Sequence, residues 1–282
     1  MNSLKTAIFI CTHGRPKDQL TLLALKKSGY TGKVYLVLDN QDNTIDEYKS
    51  LYNNLIVFDK NWYVDNCDTG SYIPNFKTIL YAKNACEDIA KELGLDAFVI
   101  ADDDIKSFSY RKVDGSHLRS VAVNGGMDKI LDEYYHYILD NNITASSFGI
   151  PSWYLSGVNT FSSGKFKKFR CPINFVIRNT SREMKWSFDY GEDLNTAIKY
   201  NKHGSTELAL PNIQIYTVPY QQGNSGMREL YDKTSNLKLV YRNIMQNPDC
   251  VSMQWYNNKI FARIYADCAY PKIISERFKN YE

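Results

Sequence analysis

Three consecutive aspartates, Asp102, Asp103 and Asp104, follow the apolar run at 97–101. Clustered carboxylates repel one another unless a cation compensates them, and a hard divalent ion prefers oxygen ligands of this kind. Aspartate also favours turns and helix N-caps, so an acidic turn is the alternative interpretation. The triplet alone fits either a metal site or a turn, and the elements around it have to decide.

A second acidic pair, Glu192 and Asp193, follows Gly191 and opens a predicted helix at 194–200. Carboxylates in the first turn of a helix are stabilised by the positive end of the helix dipole. A simple N-cap is the alternative interpretation of this pair.

The first half of the chain alternates buried strands with helices. Continuous apolar runs predict strands at 6–11, 33–38, 55–58 and 97–101. Helical spacing and glycine stops predict the intervening helices at 20–25, 44–52 and 78–93. This alternation is typical of an α/β fold whose mainly parallel sheet is covered by helices on both faces.

Polar groups follow three of these strands. They are Thr12, His13 and Arg15 after the first, Asp39 after the second, and the three aspartates after the fourth. In open α/β sheets, ligands bind at the carboxyl ends of the strands. An isolated acidic turn would not gather so many polar groups at one edge, so the arrangement favours a ligand and metal site.

The second half has a helix predicted at 130–139 and a mixture of strands and loops at 143–161 and 170–178. Neither a repeat nor a low-complexity linker interrupts the 282 residues, which predicts a single domain over 1–282. The net charge of +3 is too small to identify a polyanionic partner. Six scattered cysteines lack zinc-site spacing, and no apolar stretch reaches membrane-span length, so a soluble, cytoplasmic protein is expected.

The order of these motifs resembles that of a GT-A glycosyltransferase, which carries a DxD metal motif and an xED motif. Here they correspond to the segments 12–16, Asp39, 102–104 and 191–193. The amino-acid sequence is similar to those of the TET-associated glycosyltransferases of bacteriophages at 11–16, 28–32, 39–42, 58–60 and 82–85. Those enzymes and their relatives transfer sugars to 5-hydroxymethylated pyrimidines in phage DNA.

The resemblance implies a GT-A fold with a nucleotide-sugar-binding half at about 1–106 and an acceptor-binding half at about 107–282. It implies a UDP-sugar donor and a Mn²⁺ or Mg²⁺ ion that neutralises the diphosphate leaving group. Asp104 is the first choice of metal ligand, and Asp102 is expected on the metal or the donor. Asp103 belongs to the same donor-binding segment, but its side chain is expected to point away, because successive residues of an extended segment alternate sides.

The resemblance also assigns roles at the other strand ends. Asp39 corresponds to the acid that binds the base or ribose. Thr12, His13 and Arg15 are expected beside the nucleotide, where Arg15 is suited to a bidentate phosphate contact. Lys83 is a further candidate cation for the donor, with a solvated helix lysine as the alternative.

For an inverting reaction, the xED motif implies Asp193 as the general base and Glu192 as the adjacent acceptor-binding acid. A retaining enzyme would not use a base in this way. His203 is a candidate metal ligand, and a helix C-terminus is the alternative that its spacing from Asp193 predicts. The glycine-rich segment 221–226 is either a loop that closes over the diphosphate or an ordinary loop.

The acceptor is expected to be 5-hydroxymethylcytosine in phage DNA, or a sugar already attached to it, in the cytoplasm of the infected host. A segment that interleaves cations and aromatics is suited to tracking a nucleic-acid backbone, and its cations are Lys165, Lys167, Lys168 and Arg170. A solvated edge strand is the alternative for this segment. A glycan acceptor, and a non-catalytic nucleotide-binding or nucleic-acid-binding module, are the alternative functions.

Overall fold

The computed structural model describes residues 3–72, 75–154, 157–159, 171–218, 236–256 and 259–269. In the first part of the chain the strands are β1 (Thr6–Cys11), β2 (Val34–Asp39), β3 (Leu55–Phe58) and β4 (Ala97–Asp102). The helices between them are α1 (Leu20–Lys27), α2 (Ile45–Leu51), α3 (Lys60–Asn66) and α4 (Leu80–Glu92). The predicted alternation of strand and helix is confirmed, and α3 is an addition to it.

The remaining strands are β5 (Ile105–Asp114), β6 (His117–Ala122), β7 (Ala145–Gly149), β8 (Phe175–Asn179), β9 (Glu207–Thr217), β10 (Val251–Tyr256) and β11 (Lys259–Ile264). The helices are α5 (Met127–Asp140), α6 (Glu192–Lys202), α7 (Asn236–Gln246) and α8 (Ala266–Ala269). A short 3₁₀ helix spans Pro151–Tyr154. Helix α6 begins two residues earlier than predicted, so both acidic residues at 192 and 193 lie in its first turn.

Within the described residues, one nine-stranded sheet has the order β3-β2-β1-β4-β8-β7-β9-β5-β6. Neighbours from β3 to β4 pair in parallel, and β7 pairs in parallel with β9. Strands β8 and β5 are antiparallel to both of their neighbours. The sheet is therefore mixed, with four parallel and four antiparallel pairings, and with parallel pairing throughout β3 to β4. This confirms the expected α/β class of fold.

The sheet buries apolar side chains on both faces, because successive residues of a strand point to opposite sides. Ile8 and Ile10 of β1 pack with Leu25 of α1 in one core cluster. Phe9, between them, packs with Leu80 of α4 in the other. Helices thus cover both faces, and the polar groups that follow the strands are left at the sheet's edge. In the described part of the chain, no helix is both long and apolar enough to span a membrane.

A buried ion pair fastens α4 to β8. Arg178 is fully buried, and its Nε and Nη2 donate to the two carboxylate oxygens of Glu87 at 2.6 and 3.0 Å. Trp186 Nε1 also donates to Glu87 Oε1, at 3.2 Å. The bidentate geometry and the extra donor satisfy charges that would otherwise be costly to bury.

We expect Arg178→Met to lower the free energy of unfolding by about 3–5 kcal/mol, because the substitution leaves Glu87 buried without its cation. Urea denaturation followed by circular dichroism measures this loss. Lys185→Met is the matched control, because its ion pair with Asp88 at 3.1 Å is half exposed and should contribute at most about 1 kcal/mol. Equal losses in the two variants would contradict this account.

Candidate active site

The sheet register brings the three predicted strand-end motifs together. Cys11 of β1 pairs with Asp102 of β4 and with Val37 of β2. One residue further along, Thr12 therefore lies beside Asp103, and two residues further along, His13 lies beside Asp39. Parallel pairing makes this proximity unavoidable, because neighbouring parallel strands end at the same edge of the sheet.

Asp103 binds groups of the protein itself. Its Oδ2 accepts a hydrogen bond from Thr12 Oγ1 at 2.8 Å, and its Oδ1 accepts one from Arg15 Nη1 at 2.9 Å. Burial raises the pKa of this carboxyl, and the guanidinium of Arg15 opposes the increase. Asp103 thus anchors the loop that follows β1, and it holds the guanidinium of Arg15 at the sheet edge.

Among the described residues, neither Asp102 nor Asp104 forms an ion pair. Asp102 Oδ2 accepts one hydrogen bond, from Asn174 Nδ2 at 2.6 Å. Asp104 Oδ1 is buried and has no hydrogen-bond partner in the described part of the protein. Thr21 of α1 fixes the turn between β4 and β5, since its hydroxyl accepts from the backbone N–H of Ile105 at 2.9 Å and donates to the carbonyl oxygen of Asp102 at 2.5 Å.

The pKa of Asp102 is raised to about 8, because burial and the negative charges of Asp104 and Asp193 outweigh the opposing effect of Lys83. Burial and the charge of Asp103 raise the pKa of Asp104 as well. A divalent cation would offset this repulsion and occupy the lone pairs of Asp104 Oδ1.

No group of three or more His, Cys, Asp or Glu is arranged as a metal cage in the described ranges. Mg²⁺ is commonly held by only one or two carboxylates together with substrate phosphates and water. Asp102 and Asp104 fit that mode of binding.

Asp39 lies at the centre of a second polar cluster. Its Oδ2 contacts His13 Nδ1 at 3.0 Å and accepts from Lys60 Nζ at 3.2 Å, while its Oδ1 accepts from the N–H of Gln41 at 3.1 Å. Burial alone would raise the pKa of Asp39, but the hydrogen bond from His13 and the charge of Lys60 outweigh it and lower the pKa. The same hydrogen bond raises the pKa of His13. This ionised, oriented carboxylate is suited to accept from a sugar hydroxyl or an imide N–H.

The acidic pair of α6 faces Lys83 of α4. Gly191, the N-cap residue, has a left-handed φ of 63°, and a Cβ there would lie 2.7 Å from Asn243 Oδ1. Neither carboxylate caps the helix. Lys83 Nζ instead donates to Glu192 Oε1 at 2.9 Å and contacts Asp193 Oδ1.

The charges of this cluster determine its protonation. Burial would lower the pKa of Lys83, but the negative charges of Asp193 and Glu192 outweigh burial and raise it, so the lysine stays charged. Burial raises the pKa of Asp193 to about 6, although Lys83 acts in the opposite direction. Asp193 is therefore mostly ionised at neutral pH and more basic than an exposed aspartate, as a general base requires.

Most of the sequence-predicted residues that the structure describes fall into three contact groups. Thr12, Arg15 and Asp103 form one contact network, and His13 with Asp39 forms the adjacent one. Lys83 is buried with Glu192 and Asp193, so the alternative of a solvated helix lysine was wrong. His203 is exposed and forms the C-cap of α6, as its spacing predicted. Four predicted DNA-binding cations and the glycine-rich segment 221–226 lie outside the described residues, the cations being Lys165, Lys167, Lys168 and Arg170.

Three contributors were not predicted: Lys60, Thr21 and Asn174. Lys60 lies two residues after the end of β3, directly after the N-cap residue Asp59. Because β3 is also a parallel strand, this position could have indicated that Lys60 belongs to the site. Asn174 has a positive φ of 59°, a conformation that asparagine tolerates better than most residues, but it contacts Asp102 from 72 positions away. Nothing local in the sequence marks such a distant contact.

A sequence model described as TET-Associated Glycosyltransferase matches residues 6–226. No curated protein matches the chain. Among solved structures, the chain is similar to glucosyl-3-phosphoglycerate synthase from Mycobacterium tuberculosis in complex with Mg²⁺ and UDP, with 6% identity, a TM-score of 0.49, and coverage of 93% of this chain and 88% of that one. It is also similar to the mannosyltransferase PcManGT from Pyrobaculum calidifontis in complex with GDP-Man and Mn²⁺, with 11% identity, a TM-score of 0.47, and coverage of 79% and 59%.

Proposed function

The chain belongs to the TET-associated glycosyltransferase family, and from that premise we propose that it transfers a sugar from a UDP-sugar to 5-hydroxymethylcytosine in phage DNA, or to a sugar already on that base. By family, the chain is a glycosyltransferase. The phage-infected host cytoplasm is the proposed location.

The observation that best supports this proposal is that Lys83, on the helix before the aspartate triplet, contacts Glu192 and Asp193, about 90 positions after the triplet. The charges of Lys83 and Asp193 also act on the pKa of Asp102, in opposite directions. The proposed metal ligand Asp102 and the proposed base Asp193 would then serve one site, with the metal acting on the leaving diphosphate and the base on the acceptor hydroxyl.

The donor would lie along the ends of β1, β2 and β4. A Mn²⁺ or Mg²⁺ ion, when bound, would neutralise the charge that develops on the leaving diphosphate. Asp104 and Asp102 would hold this ion. Arg15, fixed by Asp103, would present its guanidinium to a phosphate, and Asp39 would accept hydrogen bonds from the uridine.

Asp193 would remove the proton from the acceptor hydroxyl as that oxygen attacks the sugar. Its side chain keeps about a quarter of its surface exposed, whereas that of Glu192 keeps about a tenth. Asp193 is therefore the more accessible of the two carboxylates to an incoming hydroxyl. In this inverting mechanism Glu192 would orient the acceptor or the base.

We expect kcat to fall below pH 6, by about tenfold for each further unit, because Asp193, with a pKa of about 6, must be deprotonated to accept a proton. The measurement is kcat against pH between 5 and 8 at constant ionic strength, with saturating donor. Saturating Mn²⁺ keeps the metal-binding carboxylates ionised throughout. A profile that stays flat down to pH 5 would contradict the assignment of Asp193 as base.

The acceptor is tested by incubating the purified protein and Mn²⁺ with radiolabelled UDP-sugars and matched duplexes. We expect label in DNA that contains 5-hydroxymethylcytosine and none in the same sequence with cytosine. DNA binding should weaken steeply with added salt if the basic segment 165–170 tracks the phosphates. Labelling of short saccharides, with no effect of DNA, would overturn the DNA acceptor in favour of a glycan.

A further inference from the structure

Lys83 is buried and has three partners among the described residues. Its side chain is 3% exposed. The ammonium contacts Glu192 and Asp193, and it lies 4.5 Å from the centroid of the Trp186 ring, within cation–π range. An ammonium has three N–H donors, and the number of these contacts matches it. A donor phosphate would therefore have to compete with these contacts for the ammonium.

We propose that Lys83 is a positioning residue: it holds the carboxylate of Asp193 ionised and aimed at the acceptor, and does not bind the donor. This inference rests on the proposed function, which makes Asp193 the base. It replaces the donor-binding role predicted for Lys83 with one that acts entirely through the acidic pair of α6.

The geometry explains why such a residue is needed. Glu192 and Asp193 are adjacent, and both are largely withdrawn from water. Two neighbouring carboxylates in a desolvated site do not both ionise readily without a cation. Lys83 supplies that cation from α4, a different helix, and the Trp186 ring supports its side chain. The position of the base is thus set by the contacts of Lys83, which join α4 to α6.

Other ionisable groups also act on Asp193. Glu192 precedes it on α6, Asp102 lies on β4 and Glu207 on β9, and the Cys171 thiol completes the set. All of these are acidic, so Lys83 is the cation that opposes them in this group. Removing Lys83 should raise the pKa of Asp193, and removing one of the acids should lower it.

The test compares Lys83→Met, Lys83→Arg and Glu192→Gln by two measurements. The first is ¹³C NMR titration of the Asp193 carboxyl, assigned with Asp193→Asn. The second is the pH dependence of kcat. We expect Lys83→Met to raise the titration midpoint by about one unit or more and to lower kcat at least tenfold with little change in the KM for the donor. Lys83→Arg should restore part of kcat, and Glu192→Gln should lower the midpoint.

Lys91→Met is the matched control, since Lys91 lies on the same helix, is partly exposed and pairs with Glu183 at 3.7 Å. It should leave both the midpoint and kcat unchanged. If Lys83→Met does not fold, the double variant Lys83→Met/Glu192→Gln takes its place, because it removes one buried carboxylate together with the ammonium. For that variant, the reference is Glu192→Gln alone.

An unchanged Asp193 midpoint after loss of Lys83 would overturn the inference. A raised KM for the donor with an unchanged kcat would also overturn it, in favour of donor binding by Lys83. The NMR titration needs neither sugar nor acceptor. If the parent protein transfers no sugar, the proposed function fails, while the titration still decides the role of Lys83.

Discussion

Asp193→Asn is expected to reduce kcat for sugar transfer by about 10³-fold, because the amide cannot accept the proton of the acceptor hydroxyl. Asparagine has nearly the same shape, and it can still accept a hydrogen bond from Lys83, so the site should keep its geometry. The KM for the donor should change little, since Asp193 acts on the acceptor side. Steady-state transfer assays on the acceptor used by the parent protein measure both constants.

Asp88→Asn is the matched control for this substitution. Asp88 is a partly buried aspartate that also pairs with a lysine, Lys185. It does not belong to the group formed by Lys83 and the acidic pair of α6. It should retain kcat within about twofold, because surface ion pairs contribute little. Retention of parental kcat by Asp193→Asn would show that another group is the base, or that the reaction is a retaining one.

Asp104→Asn should produce the second largest loss, a reduction in donor turnover of about 10²-fold or more. Asp104 carries the buried, unpartnered oxygen of the triplet, and a neutral amide there removes an anionic ligand from the proposed metal site. Stabilisation of the leaving diphosphate by a metal ion contributes several kcal/mol, which accounts for a loss of this size. Mn²⁺-dependent hydrolysis of UDP-sugar in the absence of acceptor measures the effect without any assumption about DNA.

Asp46→Asn provides the comparison for Asp104→Asn, because the Asp46 side chain is almost fully exposed on α2. Its hydrolysis rate and its Mn²⁺ requirement should match those of the parent. The Mn²⁺ concentration for half-maximal activity should rise in Asp104→Asn alone. A parental rate and an unchanged Mn²⁺ requirement in Asp104→Asn would exclude this carboxylate as a ligand.

The strands and strand-end motifs of the first half could largely be predicted, because they depend on residues close together in the sequence. Each parallel strand was a short apolar run, and each polar motif followed the run directly, so the register of β1 against β2 and β4 placed Thr12, His13 and Asp39 together. Strands that are neighbours in a parallel sheet end at the same edge, so the residues after them lie close together. No contact had to be known in advance for that inference.

The second half was harder to predict because its strands depend on distant partners. Hairpin β5–β6 and the long strand β9 were not predicted, and β9 pairs with β5 about a hundred positions away. Its sequence 207–217 mixes polar and apolar residues around a proline, which obscures the alternation expected of a half-buried strand.

Contacts between helices could not be predicted from the sequence either. Lys83 lies on an ordinary amphipathic helix, and nothing near it in the sequence indicates that its ammonium meets Glu192, 109 positions later. Asp103 contacts Thr12 and Arg15, and its orientation away from the metal stays a prediction. Its role as an anchor for Arg15 required the register of β1 and β4.

Mass spectrometry of nucleosides tests the central claim most directly. DNA containing 5-hydroxymethylcytosine is incubated with the purified protein, Mn²⁺ and a mixture of UDP-sugars, then digested to nucleosides. We predict that the hydroxymethylcytidine gains the mass of one glycosyl residue, that unmodified cytidine gains none, and that Asp193→Asn forms far less of the product. An unchanged hydroxymethylcytidine mass with every sugar, alongside transfer to a saccharide in the same mixture, would contradict the DNA acceptor.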